Sequence, residues 1–134
     1  MIDAATRRLV RERAGNRCEY CGLSQAQQSF PAFHIDHIIA QQHGGTDDPA
    51  NLALSCYHCN LHKGANLTGI DPQTGALVAL FHPRRDVWAT HFVLRDALIV
   101  GLTPTGRTTA RVLTMNAADR VQLRATLQDE RRLH

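Results

Sequence analysis

Lysine is almost absent from this chain. Its 134 residues contain one lysine, Lys63, against fourteen arginines. The cationic surface is therefore guanidinium, which suits bidentate phosphate contacts, although genomic base composition produces the same bias. Aromatics are also scarce, with one Trp, two Tyr and four Phe. A core built from this composition is aliphatic and small. No apolar run approaches the roughly 18–20 residues that a membrane span needs, and the charged stretch 1–17 holds no signal-peptide core. The expectation is a cytoplasmic protein with no membrane partner. The net charge of +3 is too mild to name a partner by itself.

Residues 3–14 read as a helix with Asp3 as N-cap. Arg7, Arg8, Arg11 and Arg13 make it basic, as a solvated face or as a surface for phosphates. Residues 33–40 read as a strand, with apolar side chains at Phe33, Ile35, Ile38 and Ile39. His43 to Pro49 is dense in turn formers. Residues 51–55 give a second short strand, and 57–66 a helix. Further on, 71–75 is a turn, 91–94 and 98–100 read as two strands of a small antiparallel sheet, 105–115 reads as a helix, and Asn116 is placed to cap a last helix over 117–132. No repeat or linker divides the chain, so one domain is expected, with a core at 15–66 and an extension at 67–134.

Four cysteines fall into two identical Cys-x-x-Cys pairs, Cys18/Cys21 and Cys56/Cys59. Soft thiolates at this spacing favour tetrahedral zinc, and four of them leave no open position, which marks a structural site. Free thiols or a redox pair is the rival reading, but nothing near either pair reads as a βαβ unit. Between the pairs lie 34 residues, so the metal closes a loop containing His34-Ile35-Asp36-His37.

That stretch carries the chemistry. Asp36 supplies the hard oxygen that magnesium or manganese prefers. An ordinary histidine side chain can change its charge near neutrality, so this residue type at 37 can take a proton from water. Hydrolysis of a phosphodiester needs both services. In a regular strand Asp36 and His37 face opposite sides, so the strand has to end or turn near His37. Asn60 offers a second oxygen from the first turn of the following helix. Lys63, on the same helical face, is expected to meet a phosphate as a point charge. Asn51 can bond the loop backbone and orient His37. His34 is a further ligand candidate, His58 and His62 flank Asn60, and His43 sits in the glycine loop. His82, His91 and His134 are expected to be structural or surface residues.

The run His34-Ile-Asp36-His37-Ile-Ile, then Gly44-Gly45, Asn51-Leu and Cys56-x-x-Cys59-Asn60-x-x-Lys63-Gly64, resembles the HNH endonucleases of the ββα-metal class, in the variety with paired zinc knuckles. Residues 69–106 resemble the tail of small stand-alone bacterial members. The resemblance implies an α+β fold, with a ββα-metal core stapled by a four-cysteine zinc site, an N-terminal helix, and an extension of short antiparallel strands and two helices. It implies His37 as general base, Asp36 and Asn60 as ligands of a catalytic cation, Asn51 as the structural asparagine, and DNA, double-stranded, as the partner. Asn60 stands where the family often has histidine, which favours magnesium or manganese over a softer metal. The alternative is a non-catalytic zinc-stapled nucleic-acid-binding module.

The knuckles make a direct prediction. Metal analysis of the purified protein should give about one zinc per chain, and chelation should unfold it, because binding energy at such a site is folding energy. Replacing both pairs by serine with no loss of metal or stability would overturn the assignment.

Overall fold

The computed structural model describes residues 2–28 and 30–133, with side chains described to residue 131; His134 lies outside the described residues. In chain order the elements are α1 (Ala4–Arg13), β1 (His34–His37), β2 (Leu52–Ser55), α2 (Tyr57–Lys63), β3 (Thr68–Ile70), β4 (Leu77–Ala79), α3 (Trp88–His91), β5 (Phe92–Arg95), β6 (Leu98–Gly101), α4 (Pro104–Val112) and α5 (Ala118–Leu133). The fold is α+β. Its strands form three separate antiparallel pairs, β1–β2, β3–β4 and β5–β6. No helix among the described residues is long and apolar enough to cross a membrane.

Capping follows the expected chemistry. Asp3 accepts from the Thr6 N–H at 2.8 Å and opens α1. Two of the helix's arginines serve the fold. The Arg13 guanidinium donates to the carbonyls of Pro49 and Leu52 at 3.1 and 2.8 Å, and Arg11 donates to Phe33 O at 3.2 Å. The basic helix is thereby tied to the entrances of β1 and β2.

One buried cluster runs from Val10 through Leu52 and Leu54 to Leu113 and Met115. It is aliphatic at its ends and aromatic in the middle. Phe81 meets Tyr20 and Phe92 edge-on, with centroids 6.4 and 5.4 Å apart. Edge-on packing places ring hydrogens against the negative π face. Trp88 Nε1 donates to Tyr20 O at 2.7 Å. This is how the extension reaches the first knuckle.

Several boundaries differ from the sequence reading. The first strand runs over four residues, His34–His37, and not over 33–40. It stops because the Asn51 side chain takes the next polar pair, accepting from Ile39 N at 2.8 Å and donating to Ile39 O at 3.0 Å. The helix after the second knuckle ends at Lys63. The strand β3 and the short helix α3 were not expected; β3 is a three-residue strand containing a glycine, and α3 a single turn, both too short for a periodic signal. Asn116 spends its side chain on the edge of β6 and not on a cap: it accepts from Ile99 N at 2.9 Å and donates to Ile99 O at 2.8 Å. The β5–β6 hairpin, with Asp96 in its turn, matches expectation. His82 and His91 are structural. The first accepts backbone N–H groups in the turn after Phe81, and the second pairs with Thr103.

The turn at Asp71 joins the β3–β4 pair to α4. Its buried carboxylate accepts from Gln73 N and Thr74 Oγ1, and takes Arg107 Nε and Nη2 at 3.0 and 2.9 Å. The Arg107 guanidinium holds the Asp71 carboxyl well below the usual carboxylate range. The folded value thus lies under the unfolded one, so this contribution is present above about pH 4 and fades as pH falls towards the folded value. Urea midpoints of the wild type and Asp71→Asn should accordingly differ most above about pH 4 and converge on acidification.

Candidate active site and metal centre

The sulfurs of Cys18, Cys21, Cys56 and Cys59 all lie within 4.8 Å of one another. Cys21 Sγ and Cys56 Sγ are 3.8 Å apart. A tetrahedron of zinc–sulfur bonds of about 2.3 Å has edges of about 3.8 Å, so the cluster has the size of a zinc tetrathiolate. Two knuckle N–H groups point at sulfur, Cys21 N to Cys18 Sγ at 3.5 Å and Cys59 N to Cys56 Sγ at 3.4 Å. The second of these also makes Cys56 the N-cap of α2. Such donors favour the thiolate form that binds metal. Four thiols this close, three of them buried, satisfy the size, softness and hydrogen bonding of a structural zinc site.

Tyr20 of the first knuckle and Lys63 of α2 meet at one β1 side chain, Asp36. Asp36 is only 6% exposed. Tyr20 donates to its Oδ2 at 2.7 Å, and Lys63 Nζ lies 3.2 Å from Oδ2 and 3.4 Å from Oδ1. Lys63 also donates to His37 O at 3.2 Å. Burial pushes the Asp36 carboxyl up from its ordinary value, while the Lys63 charge and the Tyr20 hydrogen bond pull it back down. Burial also pushes the Tyr20 phenol well above its ordinary value, with the Asp36 charge adding to the rise. Tyr20 is thereby a fixed donor and Asp36 its acceptor.

Here the structure corrects the sequence reading of Lys63. Its side chain is 2% exposed, and its ammonium is turned inward to Asp36 and His37 O, away from any phosphate at the surface. Spacing along α2 places Lys63 near Asn60 but does not say which way a four-carbon stem runs. The apolar stem fills the space under β1, and the buried carboxylate compensates the charge.

β1 ends at His37 and the chain bends at Ile38 and Ile39, as the opposed facing of Asp36 and His37 required. Both residues line one groove of about 220 Å³, together with Asn60, Gln41, Ala40 and Ala65. The Asn60 side-chain amide has no hydrogen-bond partner among the described residues and is free to face that groove. His34, Asp36 and His37 do not gather as a three-ligand cluster. His34 is exposed, with its ring 6.0 Å from that of Tyr57. His58 donates to Thr114 O at 2.9 Å, and His62 pairs with Thr114 Oγ1. Both dock the turn after α4 and do not line the groove. His43 is exposed in the loop.

Asn51 holds that loop. Besides Ile39, its amide donates to Thr46 O at 2.8 Å, so one side chain bridges both ends of the glycine turn. Gly45 passes so close to Ile39 O that a Cβ there would collide with it, and Gly44 turns the chain at φ +90°. The loop delivers Asp47 to His37, with Nε2 and Oδ1 2.8 Å apart. The hydrogen bond to His37 is the main cause that holds Asp47 below the usual carboxylate range. An ionised carboxylate only accepts, so Nε2 carries the proton and Nδ1 is left as the acceptor.

Two residues in contact with the Asp36–His37 pair escaped the sequence reading. Asp47 sat in a stretch already accounted for as turn formers. Tyr20 lay between two cysteines and was taken with them; its one signal was the rarity of aromatics in this chain. Removing Lys63 leaves a buried carboxylate without its cation, a change that typically costs about 3–5 kcal/mol. Urea unfolding of Lys63→Met should show a loss of that order, and Asp36→Asn in the same chain should restore part of it. A loss below about 1 kcal/mol would mean that the pair is solvated.

No significant match was found among curated proteins or among solved structures. The residues just assembled, from the first knuckle through the loop to the end of α2, coincide with the segment found by family comparison. Residues 18–66, just over a third of the chain, match the family model described as HNH endonuclease, the family that the motif in the sequence resembles.

Proposed function

We propose that the protein is an endonuclease that hydrolyses DNA phosphodiester bonds in its His37 groove, and that the whole chain forms one nuclease domain with its core at 15–66. The observation that carries the reading is the pairing of an oriented base with a hard-oxygen donor set in one groove: His37 with Nδ1 free to accept, beside Asp36 and the unpaired amide of Asn60. The donor set is all oxygen, which fits magnesium or manganese and not a thiophilic metal. A divalent cation held there by Asp36 and Asn60 would neutralise charge building on the phosphate oxygens. Protein ligands are two, so water and phosphate complete the shell.

The chain's own residues perform the rest. His37 Nδ1 takes a proton from water, and the water oxygen bonds to phosphorus. The phosphorus bond to the departing oxygen breaks, and that oxygen leaves with the electron pair. The Asp47 carboxylate fixes the imidazole plane and stabilises the imidazolium as it forms, as an orienting carboxylate does for a catalytic histidine. Asn51 keeps the loop in place. Lys63 and Tyr20 hold the Asp36 carboxylate towards the groove from beneath. Exposed arginines are the available backbone contacts, and double-stranded DNA is the proposed substrate.

Purified protein should nick supercoiled plasmid in magnesium or manganese and stop when the cation is removed. His37→Ala should lose activity by about 10²–10⁴-fold with its zinc content unchanged, and Asp47→Asn should lose less because the base remains. Full activity in His37→Ala would remove His37 as the base. Binding in a mobility-shift assay with no turnover in any divalent cation would favour the non-catalytic module.

A further inference from the structure

Arg120 of α5 is a cation in an unusual place. It is 6% exposed, and no carboxylate among the described residues lies within ion-pair distance of it. Its contacts are Gln28 Oε1 at 3.3 Å and Cys56 Sγ at 3.7 Å. One turn on lies Arg124, half-buried. It donates to Ala97 O, Met115 O and Asn116 Oδ1, again with no carboxylate among its partners. Both arginines line one cavity of about 540 Å³ with Cys18 and Cys21.

A buried guanidinium without a counter-ion is costly. The missing negative charge is supplied by the knuckles. Four thiolates around a divalent ion carry a net charge of −2, also buried and also in need of compensation. Two guanidinium groups supply +2. We infer that Arg120, with Arg124 beside it, is the counter-charge of the metal tetrathiolate at Cys18, Cys21, Cys56 and Cys59, and that this contact from the C-terminal helix sets the metal affinity of the site.

The Arg120 contact is charge-assisted N–H···S bonding to a ligand sulfur. It lowers the electron density on Cys56 Sγ and stabilises the thiolate against protonation. Burial pushes the Arg124 guanidinium down from its ordinary value, and charge on the Cys21 sulfur opposes that. The inference also gives residues 118–133 a role, as the lid of the metal site's charge. It rests on the zinc assignment and not on catalysis.

The test is zinc affinity in the full chain, by competition with a chromogenic chelator, alongside the sulfur-to-metal charge-transfer band of the cobalt-loaded protein. Arg120→Gln should weaken zinc by about 10–100-fold, the range for loss of an outer-shell partner, and shift the cobalt band. Arg120→Lys, which keeps the charge, should recover most of the affinity. Leu127→Ala loosens the packing of α5, whose Leu127 rests on the core, without touching sulfur, and should leave both readouts unchanged. Equal losses in Arg120→Gln and Leu127→Ala, or unchanged zinc affinity in Arg120→Gln, would overturn the inference. If Arg120→Gln is not recovered folded, Arg124→Gln takes its place: a several-fold loss supports the inference and an unchanged affinity defeats it. A wild-type chain that binds no zinc would instead defeat the metal centre itself.

Discussion

The four sulfurs of Cys18, Cys21, Cys56 and Cys59 impose the geometric relation on which the rest of the structure depends. They bring the start and the end of a long loop to one point, a closure whose entropy the chain could not easily offset with so few aromatic side chains. With that point set, Tyr20 and α2 are both brought to Asp36 of β1. The first knuckle then presents a phenol to Asp36, and the second presents Asn60 and Lys63. Cys56 serves three structures at once, as a member of the four-sulfur cluster, as N-cap of α2, and as the sulfur that Arg120 approaches.

Beneath the groove is a closed set of polar groups: Tyr20, Asp36, Lys63 and the His37 carbonyl. None of these would be tolerable alone in the interior. Together they satisfy one another. Asp36, one of the residues lining the groove, is held by two donors, Tyr20 and Lys63. Above it, the Asn51-clamped loop brings Asp47 against His37. The groove is thus framed by groups that themselves have little freedom. The extension contributes through Trp88 and Phe81, which pack around Tyr20, and through α5 at the sulfurs.

Legibility tracked the range over which each signal acts. The knuckles and the strand–loop–strand–helix order were readable because ligand spacing and turn formers are local features. The need for the chain to turn after His37 was readable from strand geometry alone. The short β3 and α3 were not, since three or four residues leave no periodicity. The end of β1 was misjudged because a side chain, Asn51, replaced the ladder bonds that apolar residues at 38 and 39 seemed to promise.

By itself, then, the sequence determined which chemistry is available: four soft ligands, an aspartate beside a histidine, and asparagines at 51 and 60. It could not determine direction. Lys63 points inward to Asp36 and not outward to a phosphate, Asp47 turns to His37, and Arg120 crosses from α5 to Cys56. Each of these choices pairs residues separated by 10 to 64 positions. A charged side chain's orientation depends on which surface is covered and which opposite charge is buried beneath it. Those are properties of the assembled interior, where desolvation makes an unpaired charge costly and so selects the partner.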